Sequence, residues 1–178
     1  MKQRLADKRP ARITSSGTRL VRAAGSVEPI SMISFMVKRG HRKPTDRNQA
    51  GKYRNVGSAL LESSRALMDV ADEDARYGNA IAVIAIHAAI AYNDAVTIAY
   101  GGSKSTEGDH EKAPDALIAA LKNPSPAQVD LLRAVVKKKD SASYRGEYYT
   151  MEDAVMVLRR AEKFCEWAEE MYQSRPPA

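Results

Sequence analysis

The feature that most constrains the fold is an apolar, alanine-rich run over residues 80–99, which reads AIAVIAIHAAIAYNDAVTIA. Apolar residues cover nearly every helical position, which predicts a helix that is buried on all sides. Its many alanines permit close packing of neighbouring helices, and Gly101-Gly102 ends it. A chain built around such a helix is expected to form a helical bundle.

Apolar periodicity elsewhere predicts further helices around this one. Five are predicted in all, over residues 53–70, 75 or 79 to 100, 111 or 114 to 122, 126–139 and 151–173. Capping boxes are predicted at two helix starts, Ser125 with Gln128 and Thr150 with Asp153. No strand-type alternation and no repeat is present. The predicted fold class is therefore all-α, a four- to five-helix up-and-down bundle.

Charge divides the chain into a basic N-terminal segment and a mildly acidic remainder. Residues 1–52 contain 13 Lys and Arg against 3 Asp and Glu, whereas residues 53–178 contain 15 against 19. The first segment lacks any sustained period and is predicted to be a largely disordered arm. Residues 53–173 are the predicted helical domain, and residues 174–178 a frayed tail. The arm fits a solubilising tail, a polyanion-binding arm, a transit-like segment or a start site placed too far upstream.

Several classes of site are not expected. A single cysteine, Cys165, excludes an internal disulfide and a cysteine-based zinc site, and it is typical of a reducing cytoplasm. Glu107 and His110 match Glu-x-x-His, but Gly108 breaks the helix that a bundle metal site needs. The chain has no phosphate-binding loop, dinucleotide fingerprint or nucleophile motif. We therefore expect no cofactor, no metal and, because the apolar runs are short, no membrane span.

Two ionisable side chains, His87 and Asp94, interrupt the apolar helix. They are seven residues apart on the same face, so about 10 Å separates them along the axis. Each is interpreted as a buried polar group that needs a partner. The predicted partners of Asp94 lie in the following basic segment, and the resulting polar network is structural or ligand-binding. Its other predicted members are Lys139, Tyr144 and Arg145.

The loop after this helix carries a candidate catalytic pair, Lys104 and His110. A histidine at a loop-to-helix junction can take the proton of an RNA 2′-hydroxyl while the cation holds the phosphate. A helix N-terminus disfavours imidazolium and so leaves the imidazole able to act as a base. The alternative is a solvated loop in which His110 packs locally.

Three segments in this order resemble the HEPN superfamily of small all-α bundles. They read IAIHAAIAYNDAV, GGSKSTEGDHEKA and LLRAVVKKKDSASYRGEYYTMEDAVMVLRRAEKFCEWAEE, and the resemblance covers about residues 53–173. It implies an HEPN-like bundle of four or five helices, commonly a homodimer. Many such proteins are metal-independent ribonucleases of toxin–antitoxin or defence systems, and others are non-catalytic binding modules.

The nuclease signature of that superfamily is an arginine followed, four to six residues later, by a histidine. In this sequence the signature corresponds to Lys104 and His110, with lysine in place of arginine. Lysine holds a phosphate as a point charge, without the bidentate fork of arginine. The resemblance therefore implies a module that binds RNA or a partner such as an antitoxin or nucleotidyltransferase. The alternative is an endoribonuclease that uses Lys104 and His110 across a dimer cleft.

Overall fold

The computed structural model describes residues 42–71, 75–106 and 110–175, and this part of the chain is mostly helical. Its helices are α1 (Ala50–Val70), α2 (Gly78–Gly101), α3 (Ala113–Leu121), α4 (Pro126–Val136), α5 (Lys139–Ser143) and α6 (Met151–Gln173). Two short strands, β1 (Arg42–Pro44) and β2 (Ser103–Ser105), pair antiparallel. The predicted all-α class is confirmed, with this small ribbon added. Residues 1–41 of the predicted arm and 176–178 of the predicted tail lie outside the described residues.

Helix α2 is the centre of the bundle, as its composition predicts. Of its 24 residues, 17 are buried. Alanine side chains are short, so neighbouring helices approach its axis closely. Helix α1 packs antiparallel to it: Ser64 donates a hydrogen bond to the Ile81 carbonyl at 3.0 Å, and Gly57 lies against the Tyr92 ring.

Helix α6 runs parallel to α2 on another side of the core. Gly78, at the start of α2, lies beside the Tyr149 carbonyl just before α6. Near the other end, the Tyr100 hydroxyl donates a hydrogen bond to the Met171 carbonyl at 2.8 Å. The N-terminal ends of α2 and α6 therefore share one end of the bundle, and their C-terminal ends share the other.

Two ion pairs join α1 to α6. Arg54 donates to both carboxylate oxygens of Glu169, at 2.8 Å each, and Arg65 donates to Glu162 at 2.7 Å. This order makes α1 and α6 antiparallel. Because all four side chains keep contact with solvent, each pair stabilises the fold by about 1 kcal/mol or less.

The two predicted capping boxes have different outcomes. At α6, the Thr150 side chain accepts from the Asp153 backbone N–H and the Asp153 carboxylate accepts in return, so this box is confirmed. Helix α4 begins at Pro126 as predicted, but the Ser125 side chain makes no capping hydrogen bond. The Oε1 atom of Gln128 is buried without a hydrogen bond to any described residue. The box at Ser125 is therefore wrong, and proline at the first helical position is what favours this start.

The folded part begins earlier than predicted. Asp46 caps a 3₁₀ turn by accepting a backbone hydrogen bond at 3.0 Å, and α1 follows from Ala50, which is 2% exposed. The Thr45 N–H donates to the Gly102 carbonyl at 3.0 Å. Residues 42–52, predicted to belong to the arm, are thus part of the helical body. They carry no apolar repeat, so periodicity did not indicate this.

Helix α2 is the one described helix that is long and apolar enough to cross a membrane. Other parts of the protein cover it, because 83% of its most apolar window is buried. This is the position of a core helix. We predicted no membrane span because the apolar run is short, but the helix itself has 24 residues. Its packing, rather than its length, distinguishes it from a spanning helix.

Replacing Gly57 by alanine is expected to destabilise the protein by about 1–3 kcal/mol, as overpacking of a core does. An added Cβ atom would lie 2.7 Å from the Tyr92 ring. At an ordinary helical position the same change stabilises by about 1 kcal/mol, because alanine is the better helix former. Urea unfolding measures the difference.

The control for Gly57→Ala is the same substitution in a Tyr92→Ala background. Removing the ring leaves room for the new methyl group, so the substitution should then become neutral or stabilising. A Gly57→Ala protein that is more stable than wild type would show that α1 and α2 do not pack this closely.

Candidate functional site

The C-terminal end of α2 is covered by the small ribbon. Gly102 follows the helix with a φ of 63°, the left-handed conformation that glycine adopts without strain. The chain then reverses into β2, which pairs with β1. In this pairing Ser103, Lys104 and Ser105 lie opposite Pro44, Lys43 and Arg42.

Asp94 is the buried carboxyl group at this end of the bundle. It is 5% exposed and accepts a hydrogen bond from the Ser105 Oγ at 3.2 Å. Burial raises the pKa of Asp94 to about 6, although the charge of Lys104 and the hydrogen bonds from Ser105 act to lower it. The carboxyl group is therefore ionised at neutral pH at a cost to stability.

Lys104 is held between two neighbours. Its ammonium nitrogen lies 4.9 Å from the centre of the Tyr53 ring, and its charge acts on the carboxyl group of Asp94. Both the ring face and a carboxylate attract a cation. Lys104 therefore connects β2 to α1 and α2, and part of its charge is already engaged within the fold.

The outer surface of the ribbon is basic. Arg42, Lys43 and Arg47 are exposed, and Lys43 lies directly opposite Lys104. Arg47 also donates a hydrogen bond to the Tyr100 carbonyl at 3.3 Å, which places a positive charge at the negative end of α2. We refer to Arg42, Lys43, Arg47 and Lys104 as the basic ribbon. These side chains form a surface suited to an anion.

His87 lies near Lys139, at the start of α5, and not near the ribbon. It is half-buried, and burial, followed by the charge of Lys139, lowers its pKa, so the imidazole is neutral at about pH 7. Lys139 thus lies near His87, while Asp94 has Ser105 and Lys104 as neighbours. The prediction that residues 137–145 supply the partner of Asp94 is wrong. The cause is axial distance, since Asp94 lies about 10 Å further along α2 than His87.

Tyr144 and Arg145 are exposed, with Tyr144 at 77%. The five residues predicted to form one polar network therefore lie in three separate places. Asp94 lies under the ribbon, His87 lies beside Lys139, and Tyr144 and Arg145 face solvent.

His110 begins a 3₁₀ turn, His110–Lys112, that leads into α3. It is half-buried. Residues 107–109, which connect it to β2 and include Glu107 of the Glu-x-x-His match, lie outside the described residues. Within the ranges that are described, no group of three His, Cys, Asp or Glu side chains is placed to hold a metal ion.

Sequence reasoning missed three residues of this site. Ser105 is 2% exposed, and a serine in a Gly- and Ser-rich loop carries no signal of burial. Tyr53 was assigned only to the start of a helix. Asn93 is fully buried, and neither amide atom forms a hydrogen bond with another described residue. A buried polar group without a hydrogen bond costs about 1–3 kcal/mol of stability. The position of Asn93 in the apolar run, next to Asp94, was the one sequence feature that could have indicated its burial.

Comparison with models of protein families, with curated proteins and with solved structures finds no match to this chain. Function is therefore inferred from the residues themselves, above all from the basic ribbon and the groups beneath it.

Replacing Asp94 by asparagine is expected to stabilise the protein at neutral pH. The folded-state pKa of about 6 lies above the ordinary value of 3.8. The stability contributed by Asp94 is therefore full below about pH 4 and is lost as the pH rises through about 6. The loss amounts to about 3 kcal/mol. Asparagine has no charge to desolvate, so its advantage over wild type should grow from about pH 4 to about pH 8 in urea unfolding.

Asp69→Asn, at an exposed position of α1, is the control and should show no such growth. If Asp94→Asn instead loses stability relative to wild type as the pH rises, the attraction between Asp94 and Lys104 outweighs the cost of burial, and the assignment of a raised pKa is wrong.

Proposed function

We propose that this chain is an HEPN-like helical module that binds RNA through the basic ribbon, in a toxin–antitoxin or defence setting, without cleaving it. The likeness to HEPN proteins rests on the three resembling segments, and an all-α bundle is compatible with it. The homodimer and an antitoxin or nucleotidyltransferase partner follow from the resemblance alone and stay predictions.

The observation that carries the proposal is the antiparallel pairing that sets Lys43 opposite Lys104. Arg42 and Arg47 add two exposed cations beside them. Phosphates can bind the exposed cations Arg42, Lys43 and Arg47, and contacts of lysine and arginine with phosphate supply most non-specific affinity for nucleic acids.

The distribution of charge favours this surface over the rest of the body. Residues 53–178 carry more acidic than basic side chains, 19 against 15, so the body as a whole has a small net negative charge. Three of the four ribbon cations belong to the basic first 52 residues of the sequence. RNA is therefore expected to bind where that segment joins the bundle.

The surroundings of Lys104 favour binding over cleavage. A catalytic cation must be available to a phosphate as charge develops in the transition state. Here the Lys104 ammonium lies against the Tyr53 ring and near Asp94. The same contacts fit a residue that holds the ribbon in place. We therefore place the ribonuclease second, as the alternative.

The proposal predicts that Arg42→Ala with Lys43→Ala weakens the binding of labelled single-stranded RNA by the full chain. Loss of two phosphate contacts should reduce the slope of log affinity against log salt by about 1.4 for a single strand. The matched control removes one arginine and one lysine from the exposed surface of α6, Arg159→Ala with Lys163→Ala. Fluorescence anisotropy at several salt concentrations measures both. Equal slopes for the two double variants would exclude the ribbon as the RNA surface.

Cleavage is tested with the same RNA in the presence of EDTA. The proposal expects intact RNA after incubation with wild type. If the RNA is cut, and if His110→Ala abolishes cutting while it melts at the temperature of wild type, the chain is a metal-independent ribonuclease and the binding-only role is wrong.

A further inference from the structure

A second surface with the chemistry of nucleic-acid binding lies at the opposite end of the bundle from the basic ribbon. Tyr144 and Tyr148 are 77% and 65% exposed, and Tyr77 is 37% exposed. Residues 144 and 148 lie between α5 and α6, and Tyr77 directly precedes α2. Aromatic side chains are usually buried at least in part. Three exposed tyrosines near one end of a small bundle therefore indicate a binding surface.

The backbone that carries these tyrosines is held firmly by Asn79. Its Nδ2 donates hydrogen bonds to the carbonyls of Ala142 and Glu147 at 2.9 and 2.8 Å. Its Oδ1 accepts from the Tyr149 N–H at 2.9 Å. Gly78 lies so close that a methyl group there would be 2.0 Å from the Tyr149 carbonyl oxygen. These contacts hold residues 142–149 against the start of α2.

Cations are neighbours of two of these tyrosines, because Arg76 precedes Tyr77 and Arg145 follows Tyr144. The exposed cations are Arg76, Lys137, Lys138 and Arg145, and the exposed acidic side chains at this end are Asp140, Glu147 and Glu152. The N-terminal ends of α2 and α6 meet here, and a helix N-terminus carries partial positive charge. We refer to these four cations and the three tyrosines as the aromatic–basic patch.

We propose that the aromatic–basic patch binds single-stranded RNA, with unpaired bases stacked on Tyr144 and Tyr148 and phosphates held by the surrounding cations. Base–aromatic stacking together with a basic surface is how proteins hold single strands. A duplex keeps its bases stacked internally and cannot use such rings. The exposed cations next to the rings, Arg76 beside Tyr77 and Arg145 beside Tyr144, fit a phosphate backbone rather than an apolar protein surface. This inference rests on the proposed RNA-binding function but on different residues.

The first test is a pair of double variants in the anisotropy assay. Tyr144→Ala with Tyr148→Ala should weaken the binding of single-stranded RNA by about 25-fold or more, since each stacked base contributes about 5- to 150-fold in affinity. Tyr144→Phe with Tyr148→Phe keeps both rings and should bind as wild type does. Binding of duplex RNA should be the same for both variants.

The second test locates the RNA directly. RNA that contains 4-thiouridine is crosslinked to the full chain by ultraviolet light, and the tryptic peptides are identified by mass spectrometry. Trypsin separates Tyr144, in residues 140–145, from Tyr148, in residues 146–159. Both peptides should carry crosslinked nucleotides, and the Arg42→Ala with Lys43→Ala variant should retain these crosslinks.

The outcomes separate this inference from the proposed function. If crosslinks occur only at the ribbon and the tyrosine variants bind normally, the patch is not an RNA surface, and the proposed function stands. If the tyrosine variants lose binding and the ribbon variants do not, the patch stands and the ribbon assignment is wrong. If no RNA binds, both are wrong. If Tyr144→Ala with Tyr148→Ala changes the size of the protein on gel filtration and not its RNA affinity, the patch is a protein interface.

Discussion

The burial of α2 on nearly all sides is the constraint on which the rest of the structure depends. With 17 of its 24 residues buried, every other long element is placed by contact with it. Each polar group on this helix must find a partner from elsewhere in the chain or stay unsatisfied. Asp94 forms a hydrogen bond with Ser105, and Asn79 forms hydrogen bonds with three backbone groups. The Asn93 amide forms none with the described residues.

The parallel arrangement of α2 and α6 gives the bundle two chemically different ends. Their C-terminal ends are negative in partial charge, and the basic ribbon lies there, so part of its charge is explained by the helix end that it covers. Their N-terminal ends are positive, and the aromatic–basic patch adds cations to them. Lys137 and Lys138 also follow the C-terminal end of α4, so the helix dipole accounts for part of the patch's charge, but it does not account for the exposed tyrosines.

The long elements were largely predictable, because their signals are local. The capping box at Thr150 places the start of α6 at the residue observed, and the apolar run places α2. The ribbon was not predictable. Its strands have three residues each, too few to show alternation, and β1 exists only because the chain after α2 reverses at Gly102 and lies beside it. The same reversal brings residues 42–52 into the body.

The amino-acid order by itself determined that this chain forms an all-α fold, which helix lies at the centre, and that His87 and Asp94 would need partners there. Those inferences depend on composition and helical period, which act over a few turns. Tertiary structure alone decided which groups surround them. Asp94 accepts a hydrogen bond from a serine eleven residues away, in β2, whereas His87 lies near the positive charge of Lys139, in α5. Two turns of helix separate the two positions, and different elements cover them. The elements that pack on α2, and not α2 itself, therefore set the surroundings of each ionisable group.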